Sequence, residues 1–231
     1  MLLERKLVVA AVVALLMLPT RAAFAADDLQ RVLHELDVAA ATFHSTTAEF
    51  EFDSIQTDPV PDKDIQKGTV YYERTGNAFQ MGIHIREING KVAPKVITVS
   101  RGVFKLFEKL IDQVTTSTKV TKYEGYLELG FGASGKELAN KWNIRYLGSE
   151  VIDGVKTDKL ELVAKDPDIL KIFPKVTIWV DPEHAVSLKQ VFDEGQGQSR
   201  ICHYFSIKVN QPLPADAFAI KTDSKTQFLN R

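Results

Sequence analysis

Thr47-Ala48-Glu49-Phe50-Glu51-Phe52-Asp53-Ser54-Ile55 is the stretch on which the fold turns. Ala48, Phe50, Phe52 and Ser54 alternate with Glu49, Glu51 and Asp53, a period of two that predicts a strand with one apolar and one charged face. Upstream the period differs. Leu29, Val32, Leu33, Leu36, Ala40 and Phe43 recur at helical spacing behind Asp27 or Asp28 as cap, which predicts a helix of about fifteen residues. Downstream the alternation repeats. Gly68 to Arg74 reads as a strand, Thr75-Gly76-Asn77 as a turn, and Phe79, Met81, Ile83 and Ile85 alternate with Gln80, Gly82, His84 and Arg86, which completes a hairpin. Asn89-Gly90, Asp153-Gly154 and Glu194-Gly195 mark further turns.

The remaining strand candidates are Lys95–Val99, Val103–Phe107, Gln113–Thr121, Asn143–Gly148, Thr157–Ala164, Val176–Val180, Ser187–Phe192 and Ser199–Val209. In the last, Ile201, His203, Phe205, Ile207 and Val209 are expected to share a face. A meander of about ten strands with short connections predicts antiparallel sheet, and one sheet of that length must curl. The fold class is therefore mainly β (α+β). The expected inner face carries Phe50, Phe52, Phe79, Met81, Phe192 and Phe205. Such a face is either a solid core or the lining of a cavity for an apolar ligand.

The N-terminus reads as an export signal. Glu4-Arg5-Lys6 is a charged opening, Leu7 to Leu18 an apolar run, and Ala23-Phe24-Ala25 a small-bulky-small cleavage site. The run is too short to cross a bilayer core of about 30 Å. Residues 1–25 are expected to be a signal peptide cut after Ala25, and residues 26–231 one domain folded outside the cytoplasm. No cysteine near the cut can take a lipid. Cys202 is the only cysteine, so no intramolecular disulfide can form. The whole chain has a net charge of −1; the first 25 residues hold three basic side chains and one acidic, so the remainder carries 26 against 29. That balance argues against nucleic acid and against an anionic membrane surface as partners. The histidines at 34, 44, 84, 184 and 203 lack zinc-site spacing, and no metal or cofactor is expected.

Gly130-Phe131-Gly132-Ala133-Ser134-Gly135-Lys136 matches both G-x-G-x-x-G and G-x-x-x-x-G-K. A P-loop needs Ser or Thr after the lysine, and here stands Glu137. A Rossmann unit needs a crossover helix and parallel strands, which this context does not predict. Ser134 and Glu137 read instead as a capping box opening a short helix with Leu138 and Trp142 on its inner side. No nucleophile–base pair is visible, so no catalytic residues are assigned and an enzyme is not expected.

A signal, an amphipathic helix and a β-meander, in that order, resemble the LolA-type lipoprotein carriers. The resemblance spans nearly all of residues 26–231. It rests on Gly68 to Met81, where Arg74 and Phe79 match the family pattern while Thr75 replaces its proline and Met81 its aromatic. It also rests on Val103 to Phe107 with Gln113-Val114-Thr115, on Phe173 to Pro182, and on Asn210 to Phe218. It implies an unclosed half-barrel with a helical lid over an apolar concave face, which ferries acylated cargo across the periplasm. The implied cargo-binding residues are Phe50, Phe52, Val70, Tyr72, Phe79, Met81, Ile83 and Phe205. Arg74 is the implied lid switch, its donors holding carbonyls of the Gly130–Gly135 loop or of the helix after it. The implied partners are acylated lipoprotein or lipid cargo, an inner-membrane donor complex and an outer-membrane acceptor, served by a monomer. Two other readings stand beside the carrier: a lipid-sensing regulatory domain of the same fold, and a secreted hydrolase.

Overall fold

The computed structural model describes residues 20–76, 78–118 and 129–231. Residues 1–19 of the expected leader, Asn77 of the first turn and the far end of the expected Gln113–Thr121 strand lie outside them. Helix α1 (Thr20–Ala40) begins before the predicted Asp27 or Asp28 cap and runs through the expected cleavage point after Ala25.

The strands follow as β1 (Ser45–Gln56), β2 (Asp62–Thr75), β3 (Ala78–Ile88), β4 (Lys91–Ser100), β5 (Val103–Glu108) and β6 (Gln113–Ser117). Then come α2 (Gly135–Lys141), β7 (Trp142–Ile152), β8 (Val155–Ala164), α3 (Pro167–Ile172), β9 (Lys175–Asp181), β10 (Val186–Gly195), β11 (Gln198–Val209) and β12 (Gln227–Asn230). Among the described residues they form one sheet in the order β12-β6-β5-β4-β3-β2-β1-β11-β10-β9-β8-β7, which does not close, with β12 and β7 as its two edges. The architecture is an open half-barrel with few helices, as expected for the mainly β class. Neighbours pair antiparallel, consecutive strands through their short connections and β1 with the distant β11, except β12, which runs parallel to β6. No local pattern predicted that strand.

Two apolar clusters fill the inner face. Under α1, Val32 and Leu36 pack on Leu138, Trp142, Leu160, Leu162 and Ile178. Around the end of α1, Phe43 joins Phe50, Tyr72, Phe79, Met81 and Phe131. The capping box is present, with Ser134 and Glu137 satisfying each other's backbone N–H groups. Asp37 accepts from the Lys136 N–H at 3.0 Å and ties α1 to α2.

The outer face is strapped by the segment between β11 and β12. Ala217 lies directly on Gly82, whose absent side chain makes room: a Cβ there would collide with the Ala217 carbonyl. Gly82 pairs with Tyr71 beside Met81, so the strap crosses the face opposite the apolar one.

Candidate functional site

A cavity of about 430 Å³ opens on the inner face, beside the region that α1 covers. Cross-strand register builds it. Phe52 pairs with Gln66 and Ala48 with Val70, Val70 with Ile83 and Tyr72 with Met81, and Ile83 with Ile97 and Met81 with Val99. Directly paired residues share a face of the sheet, so one inward row per pair yields a continuous apolar wall. Of the residues expected there, Phe50, Phe52, Val70, Met81 and Ile83 line the cavity.

The other three stand elsewhere. Tyr72 and Phe79 are stacked at 5.7 Å behind the wall, and Tyr72 also stacks on Phe131 at 5.9 Å. Both are buried and form the end wall's backing rather than its surface. Phe205 belongs to the opposite face. Tyr204 pairs with Phe50 and Cys202 with Phe52, whereas Phe205 pairs with Glu49. It lies in a separate outer cleft with Asp153 and His184. The physical reason is a bulge: Ser206 has φ +52°, the register slips opposite Thr47–Glu49, and only beyond it do Ile207 and Val209 pack on the aromatic cluster. A slip of one residue exchanges the faces, so the five alternating residues of this strand do not share one.

Sequence reasoning also missed contributors. Phe131 comes from the glycine-rich loop, Phe173 from the end of α3, and Tyr204, Cys202, Gln190 and Arg200 from β10 and β11. A lone aromatic among glycines was the available signal for Phe131. The loop is held to β10 by the Gly132 N–H donating to the Ala185 carbonyl and the Ser187 N–H donating to the Gly130 carbonyl, each at 2.7 Å. Gly132 has φ +67° and a Cβ there would strike the Phe43 ring, so this position requires glycine.

Arg74 reaches this loop. Its Nη1 donates to the Gly132 carbonyl at 3.0 Å and lies 3.6 Å from Glu137 Oε2. Burial alone would push the Glu137 carboxyl up, but the Ser134 N–H, the Arg74 charge and the Ser134 hydroxyl outweigh it and hold the carboxyl below its usual value. Within the cavity, burial pushes the Cys202 thiol up to about 12 and the Tyr204 phenol well above 10. Both therefore stay neutral, and apart from Arg200 the lining is an uncharged, mostly apolar surface suited to a hydrocarbon chain. Among the described residues, no helix is long and apolar enough to cross a membrane.

No family model and no curated protein matches the chain. Solved structures do. An uncharacterized conserved protein from Thermus thermophilus superposes with a TM-score of 0.54 at 10% identity, over 88% of this chain and 99% of that one. The complex of Pseudomonas aeruginosa MucA/MucB gives 0.50 at 13% identity, over 84% of this chain and 61% of that one. A LolA superfamily protein from Nitrosomonas europaea gives 0.39 at 15% identity, over 83% and 97%. The unclosed sheet with helices on its apolar inner face is thus a fold the chain shares with the Thermus protein and with the MucA/MucB structure.

Proposed function

We propose that this protein is a periplasmic carrier without catalytic activity. It shields the acyl chains of lipoproteins or related lipids in its apolar cavity and ferries them toward the outer membrane. The observation that carries this reading is the cavity itself, about 430 Å³ of aromatic and aliphatic lining on the open face of a half-barrel. Its size is within the range of about 300–1,000 Å³ usual for small-molecule sites. Burying an acyl chain is worth about 0.8 kcal/mol per CH₂, so sixteen carbons amount to about 12 kcal/mol. A lined groove spanning several strands supplies that burial, and no cofactor is needed. Arg74 serves as the latch of the loop that closes the inner end of the cavity. An inner-membrane donor and an outer-membrane acceptor are the partners such a carrier requires, and a monomer suffices.

Native mass spectrometry of the protein purified from the cell envelope tests the reading. Co-purifying acyl mass, lost when Phe52 and Ile83 are both changed to Asp, is the expected result. An empty protein that takes up no acyl probe in vitro overturns it. A second reading, an envelope sensor that binds a membrane partner, draws on the likeness to MucB, which was solved in complex with MucA. A stoichiometric partner protein in the same spectra, without acyl mass, favours that reading.

A further inference from the structure

The outer margin of the cavity carries a paired charge that an apolar pocket does not need. Along β11 the lining residues are Tyr204, Cys202 and Arg200, and Arg200 is the outermost, farthest from the Phe131 end wall. It pairs with Ser54 of β1 and Phe192 of β10, so it stands on the inner face. Its Nε lies 2.7 Å from Glu194 Oε1, and its side chain is 47% exposed whereas that of Glu194 is 15% exposed. The contact is electrostatic only: Glu194 Oε1 is buried and accepts no hydrogen bond among the described residues. On the opposite wall, next to Ile85, Lys95 pairs with Glu108 at 2.8 Å. The margin therefore carries two cation–carboxylate pairs, and Asp64, paired with Ser54 on the same face, accepts from the Asn89 amide.

We propose that the cavity selects amphiphiles whose head carries both a phosphodiester and a primary ammonium, with Arg200 taking the phosphate and Glu194 the ammonium. This rests on the carrier reading above and names its cargo more closely. The chemistry follows from charge balance. A head with a lone anion, set against the Arg200–Glu194 pair, leaves one carboxylate facing one anion with a single cation between them. A zwitterionic head leaves every charge compensated. Arginine matches the geometry of a phosphate, and its five donors exceed the single Nε contact with Glu194. A primary ammonium brings three donors to the part of the Glu194 carboxylate that stays exposed beside Arg200. A quaternary ammonium brings none and fits less well. With the acyl chain in the cavity, the head sits at the margin without burying a net charge, which is otherwise costly.

The experiment measures binding to the full-length mature protein of four single-chain probes with the same acyl group, below their micelle concentrations. The probes are lysophosphatidylethanolamine, lysophosphatidylcholine, lysophosphatidylglycerol and monoacylglycerol. The ethanolamine lipid is expected to bind about tenfold tighter than the glycerol phospholipid, with the choline lipid between them. Glu194→Gln is expected to reverse that order, because Arg200 is then an uncompensated cation. Arg200→Gln is expected to bring all three phospholipids down to the monoacylglycerol level, and circular dichroism checks that each variant is folded. Equal binding of all four probes, or an unchanged order in both variants, overturns the head-group assignment and leaves the carrier standing. Failure of all four probes to bind overturns the carrier reading and the assignment with it.

Discussion

Arg74 Nη1 donates to the carbonyl of Gly132 at 3.0 Å, joining the end of β2 to the glycine-rich loop that closes the cavity. The guanidinium is mostly buried, with a side-chain exposure of 16%, and Glu137 lies within ion-pair distance. A hydrogen bond from a charged donor is typically worth about 1.5–3 kcal/mol. Arg74→Leu is therefore expected to lower the urea midpoint by a stability loss of about 1–2 kcal/mol, the half-exposed Glu137 contribution being screened. In a transfer assay with purified acylated cargo, the same variant is expected to load normally and release slowly, since the loop no longer returns to close the cavity. Wild-type release together with wild-type loading refutes the latch role.

Phe52 and Tyr72 separate lining from core. Phe52 lines the cavity, whereas Tyr72 is fully buried within the aromatic stack. Tyr72→Ala is expected to cost about 3–5 kcal/mol, as a large-to-small change in a packed core does. Phe52→Ala enlarges a space that is already open, so its cost is expected to be about 1 kcal/mol. Denaturant titration of both variants without ligand decides this. Equal large losses mean the cavity is solid core.

His84 makes stability depend on pH. It hydrogen-bonds the Ala217 backbone of the outer strap, and desolvation lowers its pKa below the usual value. Its Nε2 is buried with no hydrogen-bond partner, so the charged form would bury an unsatisfied donor. The neutral form is favoured in the fold while the unfolded chain protonates at about pH 6.5. The contribution is fully present above that pH and is lost as pH falls through the lowered folded value. Thermal midpoints measured between pH 7.5 and 4.5 are expected to fall less in His84→Gln than in the wild type. Parallel profiles would contradict the assignment.

Gly82 holds the strap by having no side chain. Gly82→Val places a side chain into the Ala217 carbonyl, so the strap must lift. Faster amide hydrogen exchange across residues 212–226 and along β12 is expected, with β1 and β11 at the centre of the sheet unaffected. Unchanged protection in the strap would show that it adheres through other contacts.

The sequence by itself determined what depends on near neighbours. Alternation in Ala48–Ser54 and Phe79–Ile85 wrote the strands. Short turns such as Asn89-Gly90 made them antiparallel neighbours. Ser134 with Glu137 wrote a helix cap, because both partners lie within one turn. The one apolar face of β1 to β3 followed, and with it Phe50, Phe52, Val70, Met81 and Ile83 in the cavity wall. Tertiary structure alone decided the rest, since those outcomes depend on residues far apart in the chain. The bulge at Ser206 exists only against β1, and it sent Phe205 outward and Tyr204 inward. Tyr72 and Phe79 became backing rather than lining because Phe131, distant in the chain, was laid across them. The four residues of β12 form a strand only because Asp112 and β6 offer them an edge. The Arg200–Glu194 pair reads locally as an ordinary turn charge; only the curl of the sheet set it at the margin of an apolar cavity, where a pair of charges acquires a ligand to choose.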